Sequence, residues 1–563
     1  WTAGGEPLVF FHFSGYDPAS PWGLSKHQGP APRGLLSENP ALRELCDSYG
    51  GALVAAGHLT MRTQAYRNDV LPSGLRLTPL IRRMCRDAVV GVDPDLGVPP
   101  DPWSSETEFL EWLFADDLGT GAWRHSRFER ALWRARSDLR VVFPDPAMGS
   151  AEAFRTWLDE APDMVPQYTA AGLDGRPERA GLTRPKARSR RHRRGGWSVI
   201  SYARAELGVG EAGRRIGQAV AARGAPWEMV GLTDGSLSRQ QHGYRGPLAT
   251  VPSYANQVWC VNADQTPRLA AALGPSADGI RIGVWFWELE DFPRHFVDAF
   301  RHVDEVWVTS EFNRESISRV ADKPVRLVPL PVRSAAGTPR YTRDQLGVPR
   351  DRTAFLVNFD YLSVMRRKNP IGAIEAFTRA FEPSDGAVLL IKSINGDKRL
   401  IDRERVRIAA AGRPDIIFME HYMSAAELRG LTAVVDCVVS LHRSEGYGLN
   451  LADAMAQEKP VIATGYSGNM QFMDEGSAFL VPWQRAEVGP DAGPYSPEAT
   501  WAEPDVDVAA QHMRVVAGDP SAVARVVQTA RRKLACYSRA SVGAAVRPLL
   551  VPDVLERSGR SLR

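Results

Sequence analysis

The chain has 563 residues, too many for one hydrophobic core, so two to four domains are expected. Its 44% hydrophobic and 24% charged content is ordinary for a globular protein, and a net charge of +3 gives no global field that favours nucleic acid. The five cysteines show no C-x-x-C spacing, which argues against a zinc site or a disulfide framework and favours a reducing cytosol. No run approaches the ~18–20 apolar residues of a membrane span.

The N-terminal region, residues 1–183, begins with a strand-like run at 9–13 and continues with helical patterns at 39–56, 106–115 and 123–157. Gly, Pro and Asp interrupt these patterns often. Because the chain begins at Trp1 and continues at once into a strand-like run, we expect it to be a fragment of a longer protein.

A basic linker is predicted at residues 184–196, where seven Lys or Arg occur without any apolar residue larger than Ala or Pro. The composition favours a solvated hinge. The alternative is electrostatic contact of residues 184–194 with an anionic membrane surface or a polyanion. Nucleic acid is not expected there, because aromatic residues do not interleave with the basic ones.

From Trp197 onward, short apolar runs alternate with helical patterns, as is typical of buried parallel strands. One series of predicted strands comprises residues 197–202, 257–262, 281–287, 305–310 and 325–332. A second series comprises residues 354–360, 387–393, 416–421, 437–441 and 460–464. The two series predict two doubly wound α/β domains with ligands bound outside the carboxyl ends of the strands.

The first glycine turn follows the strand predicted at 197–202. Gly208 and Gly210 open the next helical pattern. Glycine lets backbone approach a ligand, and a helix N-terminus presents unpaired N–H groups to an anion. The turn therefore predicts a loop that faces a phosphate or a sugar, with helix packing as the alternative.

Trp287 and Glu288 lie at the end of the strand predicted at 281–287 and just past it. Aromatic faces stack on sugar rings, and a carboxylate accepts hydrogen bonds from hydroxyl groups. For Trp287, packing in the core is an equally good interpretation. For Glu288, a functional role is favoured. Weaker candidates for the same site follow the preceding strand: Asn262, Asp264 and Gln265.

Arg366, Arg367 and Lys368 open a helix after the strand predicted at 354–360. Fixed cations at that place can stabilise the charge of departing phosphates without proton transfer. A solvated basic cap is the alternative. Lys392, at the end of the next strand, is a secondary candidate.

The most informative segment, residues 444–483, carries two acids eight positions apart, Glu445 and Asp453. A tight turn and the start of a helical pattern lie between them, formed by Gly446, Tyr447, Gly448 and Leu449. A second glycine turn follows at 465–468. Such a constellation can hold a phosphate beside two carboxylates that bind hydroxyl groups, as a nucleotide-sugar site requires. His442, just before Glu445, is a candidate for a sugar or phosphate contact, although a lone histidine is more often structural.

The segment from Glu445 to Asp453 resembles the E-x7-E signature of retaining GT-B glycosyltransferases of family 4, and the resemblance covers roughly residues 197–545. It implies that Glu445 contacts the transferred sugar and that Asp453, one methylene shorter than the usual Glu, faces the nucleotide ribose. Lys368 matches a lysine of the family. The corresponding arginine position holds Ser363, so Arg366 or Arg367 is expected to replace it. The segment from His12 to Pro18 resembles one found upstream of GT-B domains in large bacterial envelope glycosyltransferases.

The resemblance implies an α/β chain of the GT-B class, in which two doubly wound Rossmann-like domains face a cleft beside a mainly helical N-terminal region. The expected domains are an accessory region at 1–183, the linker at 184–196, an acceptor-side domain at 197–340, a donor domain at 341–520, and a C-terminal helix and tail at 521–563.

The sequence therefore predicts a cytoplasmic, retaining hexosyltransferase that moves a sugar from a nucleotide-diphosphate donor to a hydroxyl of a glycan or lipid-linked acceptor, with a role in envelope polysaccharide synthesis and peripheral membrane contact. No cofactor or metal is expected, because the two D-x-D pairs, at 93–95 and 505–507, lack a preceding strand. The alternative is an inactive GT-B shell that binds carbohydrate or acts as a scaffold.

Overall fold

The computed structural model describes residues 1–550 except 30–31, 65–67, 93–95, 116–124, 148–150, 161–192, 223–225, 234–235, 237, 275–278, 334–340 and 491. These residues form two compact units. Unit 1 comprises Trp1–Ala65, Val332–Ala486 and Thr500–Ser538, and unit 2 comprises Tyr66–Pro331, Glu487–Ala499 and Arg539–Arg563. The region predicted at 1–183 is thus divided between the units.

The described α-helices follow the predicted helical patterns in the N-terminal region and alternate with strands after it. They span Pro40–Ala55, His58–Met61, Pro79–Val89, Glu106–Phe114, Arg127–Ala135, Ser137–Val142, Ala151–Glu160, Gly208–Ala221, Thr266–Leu273, Glu311–Ser318, Met365–Lys368, Pro370–Ala380, Leu400–Ala409, Ala425–Val434, Leu449–Ala456, Val506–Gly518, Pro520–Leu534 and Arg539–Val546.

A two-stranded hairpin, β1 (Thr2–Ala3) and β2 (Glu6–Pro7), begins the chain. The strand predicted at 9–13 is wrong. Residues 9–13 have no regular secondary structure, and Val9 and Phe10 are 96% and 77% exposed. The apolar run predicted a strand there, but a strand needs a neighbouring strand to accept and donate its backbone hydrogen bonds. Residues 9–13 pair with no strand among the described residues.

Unit 2 contains a parallel sheet of seven described strands. They are β3 (Arg193–Ser201), β4 (Trp227–Gly231), β5 (Leu248–Ala249), β6 (Tyr254–Cys260), β7 (Arg281–Val284), β8 (Glu305–Val308) and β9 (Val325–Leu327). Their order is β5-β4-β3-β6-β7-β8-β9. The last four residues of the predicted linker, 193–196, form the start of β3, and its other residues, 184–192, lie outside the described ones.

Unit 1 contains a second parallel sheet, with six strands in its described part. They are β10 (Thr353–Asp360), β11 (Ala387–Ile394), β12 (Ile416–Met419), β13 (Cys437–Ser440), β14 (Val461–Thr464) and β15 (Phe479–Val481), and their order is β12-β11-β10-β13-β14-β15. A two-stranded sheet follows, formed by β16 (Trp483–Glu487) and β17 (Thr500–Pro504).

Continuous apolar runs bury the central strands of the two parallel sheets on both faces. Phe355, Leu389 and Val439 are fully buried in unit 1, where Phe377 packs from the helix Pro370–Ala380. In unit 2, helices between residues 79 and 160 enclose a separate core around Phe109 and Phe154. The prediction of an α/β chain with two doubly wound sheets and a mainly helical N-terminal region, as expected for the GT-B class, is confirmed.

Candidate active site

Two polar segments meet where the strand order reverses in unit 1. From β10 the chain continues to β11 and β12 on one side, whereas β13 begins the opposite branch, and β10 and β13 are neighbours. Ligands of open parallel sheets bind outside the carboxyl ends of strands at such a point. The helix Met365–Lys368 follows β10 and Glu445 follows β13. Both predicted segments therefore lie at the position where the topology favours a ligand.

Glu445 contacts two cationic side chains. Nζ of Lys368 donates to Oε1 of Glu445 over 2.5 Å, and Nη1 of Arg367 lies 3.3 Å from Oε2. Arg367 also donates to the carbonyl oxygens of Ser444 and Ser363 over 2.8 and 3.1 Å. The side chains of Glu445, Lys368 and Arg367 are only 11%, 19% and 5% exposed, so water screens this cluster far less than it screens a surface pair.

Opposing effects set the pKa of Glu445. Burial raises the pKa, whereas the positive charges of Lys368 and Arg367 lower it by more, and the net result is a pKa of about 2. At neutral pH the carboxylate is therefore ionised and acts only as a hydrogen-bond acceptor.

The second glycine turn fixes the backbone of Glu445. The amide of Glu445 donates to Oγ of Ser467 over 2.8 Å, and the amide of Gly468 donates to the carbonyl oxygen of Glu445 over the same distance. A Cβ added at Gly468 would lie 2.1 Å from the carbonyl oxygen of Gly446. Only glycine allows the two turns to approach this closely.

Val364 and Ser467, beside the cluster, have positive φ angles without being glycine. Val364, with φ of 61°, immediately precedes the helix that carries Arg367 and Lys368, and Ser467, with φ of 73°, accepts from the amide of Glu445. Such a conformation costs about 1–3 kcal/mol, persists only where the surroundings impose it, and clusters at functional sites. The strain thus marks both segments that hold the Glu445 cluster.

His442 is fully buried, and both of its ring nitrogens have partners within unit 1. Nε2 lies 2.9 Å from Oδ1 of Asn469, whose amide nitrogen donates to the carbonyl of Thr464, and Nδ1 lies 3.0 Å from Oγ of Ser440. Because Oδ1 can only accept, Nε2 carries the proton and Nδ1 accepts from Ser440. Burial lowers the pKa of His442 and favours this neutral form. The geometry gives His442 a role in joining β13 to the second glycine turn.

Two other basic candidates have different partners. The guanidinium of Arg366 lies over the ring of Trp501, 5.6 Å from its centroid. Nζ of Lys392, which is buried on β11, donates to the carbonyl oxygen of His421 over 2.5 Å. Of the two arginines considered for the family's arginine role, Arg367 is the one that joins Lys368 at Glu445.

The glycine turn formed by Gly446, Tyr447 and Gly448 leads into the helix Leu449–Ala456. Gly448 is its N-cap residue and has a φ of 91°, a conformation that glycine adopts without strain. Tyr447 is buried, and its ring packs 5.1 Å from that of Phe472. Gly446 provides the carbonyl that approaches Gly468. The turn thus connects Glu445 directly to the N-terminus of the helix that begins at Leu449.

Asp453 lies within the helix Leu449–Ala456 and is partly buried. Its Oδ1 accepts from the backbone amide of Arg333 over 3.2 Å. This hydrogen bond joins the helix to Arg333, near the start of the segment Val332–Ala486 of unit 1.

In unit 2 the glycines of the first predicted turn differ in their surroundings. A Cβ at Gly210 would lie 2.7 Å from the carbonyl oxygen of Tyr202, so Gly210 is required for packing of the helix Gly208–Ala221. At Gly208, where the helix begins, no described atom lies within 4 Å of an added Cβ. Gly208 is therefore open on that side, as the predicted contact with a ligand requires.

Glu288 follows β7 and is partly buried in unit 2. The hydroxyl of Tyr495 donates to Oε2 of Glu288 over 3.1 Å, across 207 positions of sequence. Trp287 is 6% exposed, and its Nε1 donates to the carbonyl oxygen of Asp291. Of the two roles considered for Trp287, these contacts favour packing in the core over stacking on a sugar.

The weaker candidates after β6 lie at the reversal of the unit 2 sheet, where β3 and β6 are neighbours. Oδ1 of Asn262 accepts from the amide of Phe286 over 3.0 Å, and Nε2 of Gln265 donates to Asp264 over 2.9 Å. Burial raises the pKa of Asp264, the Gln265 hydrogen bonds oppose this, and the charge of Glu288 raises it further, to about 6. Asp264 and Glu288 are thus electrostatically coupled.

Within the part of the chain that the structure describes, no group of three or more His, Cys, Asp or Glu side chains could hold a metal ion. Asp505 and Asp507, one of the two D-x-D pairs, lie at the start of a helix, where Asp505 accepts from the amide of Asp507. The other pair lies outside the described residues. None of the described helices has the length and apolar character needed to cross a membrane.

Residues 361–487 match the family described as "Glycosyl transferases group 1". The match supports a glycosyltransferase. The matched segment contains Arg367, Lys368, Glu445 and Asp453. No curated protein matches the chain.

Several solved structures are similar at low identity. HepE of Anabaena, in complex with UDP and glucose, is 12% identical, with 63% of this chain and 99% of that chain covered and a TM-score of 0.47. Sucrose-phosphate synthase of Thermosynechococcus elongatus is 16% identical, with 63% and 98% covered and a TM-score of 0.46. A glycosyltransferase of Rickettsia africae is 12% identical, with 64% and 97% covered and a TM-score of 0.44. Because these TM-scores are below 0.5, the fold rests on the two sheets themselves.

Sequence reasoning missed three residues that the structure places at these segments. Ser467 lies in the second glycine turn and Asn469 directly follows it. The residue pattern of this turn was visible in the sequence, but the partners of the two side chains were not. Tyr495 follows β16 and reaches Glu288 from a distant part of the chain, so local pattern gave no signal for it.

Proposed function

We propose that the chain transfers a sugar, with retention, from a nucleotide-diphosphate donor to a hydroxyl acceptor. The observation that carries the proposal is the ionised Glu445 held between Lys368 and Arg367 at the reversal point of a parallel sheet, inside the segment that matches glycosyl transferases group 1. A carboxylate accepts hydrogen bonds from sugar hydroxyls, and cations attract a diphosphate.

In the proposed reaction, the bond between the anomeric carbon of the donor sugar and the diphosphate oxygen breaks. The acceptor oxygen forms a new bond to that carbon on the same face, and the acceptor proton passes to the departing phosphate. Lys368 and Arg367 stabilise the charge that develops on the diphosphate, and amides at the start of the helix Leu449–Ala456 assist them. Glu445 orients the donor sugar.

The acceptor side of the proposal involves Gly208 and Glu288, which both follow strands of the unit 2 sheet at their carboxyl ends. The open side of Gly208 suits close approach of substrate, and Glu288 would accept from an acceptor hydroxyl. We propose a glycan or lipid-linked acceptor of the cell envelope, reached from the cytoplasm with residues 184–194 at the membrane surface.

The second candidate function is a carbohydrate-binding or scaffolding shell without catalysis. It is favoured by Asp453, whose Oδ1 binds the backbone amide of Arg333, because a structural role at this position would break the two-acid signature. A shell of this kind would bind a sugar or a nucleotide without turnover.

A panel of nucleotide sugars distinguishes the two. UDP-glucose, UDP-N-acetylglucosamine, GDP-mannose and their free nucleotides would be tested first by thermal shift, since a ligand that binds the folded state raises the melting temperature. The enzyme predicts a stabilising donor that is then hydrolysed or transferred. A stabilising donor without turnover would support the shell, and stabilisation by none would contradict the proposed transferase.

Metal independence is part of the proposal, since Lys368 and Arg367 are proposed to stabilise the charge of the diphosphate. Transfer measured in EDTA is expected to match transfer measured in buffer. Loss of activity in EDTA, with recovery on addition of Mg²⁺ or Mn²⁺, would contradict it.

A further inference from the structure

Residues 487–499 form an excursion that connects β16 and β17. The flanking residues 486 and 500 belong to unit 1, whereas Glu487–Ala499 belong to unit 2. The amide of Val488 donates to the carbonyl of Ala499, and that of Gly489 donates to the carbonyl of Pro497, each over 2.8 Å. These two hydrogen bonds join the beginning of the excursion to its end.

Tyr495, within this excursion, contacts the segment after β7. It is 7% exposed, and its ring centroid lies 5.5 Å from that of Trp287 in an edge-on arrangement. Its hydroxyl donates to Oε2 of Glu288 over 3.1 Å. Ring packing therefore fixes the phenol, and the phenol in turn restrains one oxygen of a partly exposed carboxylate.

Trp287 is itself held from several sides. Its Nε1 donates to the carbonyl of Asp291, and its ring packs edge-on against Phe292 and Phe296 with centroids 6.0 and 5.8 Å away. Because Trp287 is anchored in the core, the ring of Tyr495 has a rigid surface to rest on. A hydroxyl positioned in this way loses little freedom on binding Glu288.

The match to glycosyl transferases group 1 ends at Glu487, the first residue of the excursion. Tyr495 thus lies outside the matched segment. The side chain it restrains, Glu288, is the acidic residue that the proposed function assigns to the acceptor.

We propose that Tyr495 is a positioning residue, which holds the carboxylate of Glu288 in the orientation that accepts a hydroxyl of a saccharide acceptor. The inference rests on the proposed function for its chemistry, but the restraint of Glu288 can be tested without activity. Tyr495 itself does not touch the reacting atoms. Removal of its hydroxyl should impair use of the acceptor and leave use of the donor unchanged.

The variant is Tyr495→Phe, which keeps the ring against Trp287 and removes only the donor to Glu288. The matched control is Tyr537→Phe, because Tyr537 is also buried and donates its hydroxyl to a backbone carbonyl, that of Gln471, over 2.7 Å. Crystal structures of the wild type and Tyr495→Phe in one crystal form are expected to show the Glu288 carboxylate displaced and the Trp287 ring unmoved. An unmoved carboxylate would overturn the proposal.

Kinetics provide the second measurement, with methyl glycosides of glucose, galactose, mannose and N-acetylglucosamine as acceptor probes. Tyr495→Phe should raise the KM for the acceptor about 5-fold, the order of one hydrogen bond, with unchanged hydrolysis of the donor in the absence of acceptor. In an E288A background the same substitution should have no further effect, because the two residues act as a pair.

An acceptor KM that is unchanged, or raised equally by Tyr537→Phe, would overturn the positioning role. A wild-type chain that neither hydrolyses a donor nor transfers its sugar would contradict the proposed function instead. In that case the crystal comparison alone decides whether Tyr495 holds Glu288.

Discussion

Nζ of Lys368 lies 2.5 Å from Oε1 of Glu445, although the residues are 77 positions apart in the sequence. The contact arises because β10 and β13, which precede them, are neighbours at the reversal of the parallel sheet. The basic segment that contains Lys368 and the acidic segment that contains Glu445 thus form one cluster. The expectations for variants follow from this pairing.

Lys368→Met, which keeps an aliphatic stem and removes the charge, should lower kcat at least ~10-fold with a smaller change in donor KM, since a cation matters most as charge develops on the leaving diphosphate. Lys459→Met is the control, because Lys459 is a partly buried lysine of the same unit near Asp436. Steady-state kinetics decide the matter. A raised KM with unchanged kcat would make Lys368 a binder of the ground state only.

Gly468→Ala should destabilise the turn that fixes Glu445, because the new Cβ would meet the carbonyl oxygen of Gly446 at 2.1 Å. Overpacking of this kind costs about 1–3 kcal/mol, so the urea midpoint should fall and donor binding should weaken. Gly465→Ala is the matched control, since its nearest neighbour is 3.5 Å away. Equal stability of the two variants would contradict the close approach.

Asp453 has two candidate partners, the amide of Arg333 and the donor ribose. Asp453→Asn keeps an oxygen for the Arg333 amide, whereas Asp453→Ala removes it and should cost about 1 kcal/mol in urea denaturation. If the carboxylate also binds ribose, Asp453→Glu should tighten and Asp453→Ala should weaken binding of a nucleoside diphosphate in calorimetric titration. Unchanged nucleotide affinity in all three variants would assign Asp453 to the backbone contact alone.

Asp264 predicts a pH dependence of stability. Its pKa rises from 3.8 to about 6 on folding, chiefly through burial, so the folded state holds the proton more tightly. The associated stability is fully present below pH 3.8 and is lost as the pH rises through 6. Relative to the wild type, Asp264→Asn should therefore gain melting temperature between pH 4 and 6.5. A difference that stays constant over this range would contradict the raised pKa.

Much of the fold could be predicted because buried parallel strands form continuous apolar runs. The strand predicted at 354–360 corresponds to β10 (Thr353–Asp360), and that at 387–393 corresponds to β11 (Ala387–Ile394). The ends of some strands differ from the prediction because tertiary contacts determine them. The strand predicted at 281–287 ends at Val284, and the apolar residues after it pack in an aromatic cluster. Strands such as β4 and β5 were missed, since they are short and partly exposed.

Only those parts of the candidate site that local sequence patterns specify could be predicted. Glycine spacing located the turn at Gly446 and Gly448, and charge located Lys368. Which arginine faces Glu445 depends on the positive φ of Val364, which no local pattern specifies for a β-branched residue. Tyr495 reaches Glu288 through a long connection, so only three-dimensional packing shows it.

The central claim, that Glu445 binds the transferred sugar, is tested most directly by comparing Glu445→Gln with Glu420→Gln in sugar transfer. Glu420 is the matched control because it follows β12 in the same sheet, is 15% exposed against 11% for Glu445, and also pairs with two cations, Arg403 and Arg407. Glu445→Gln should fold normally and transfer at least ~10-fold more slowly, since a contact to the sugar that strengthens in the transition state is weakened. Glu420→Gln should transfer at the wild-type rate. Wild-type transfer by Glu445→Gln, or an equal loss in both variants, would contradict the claim.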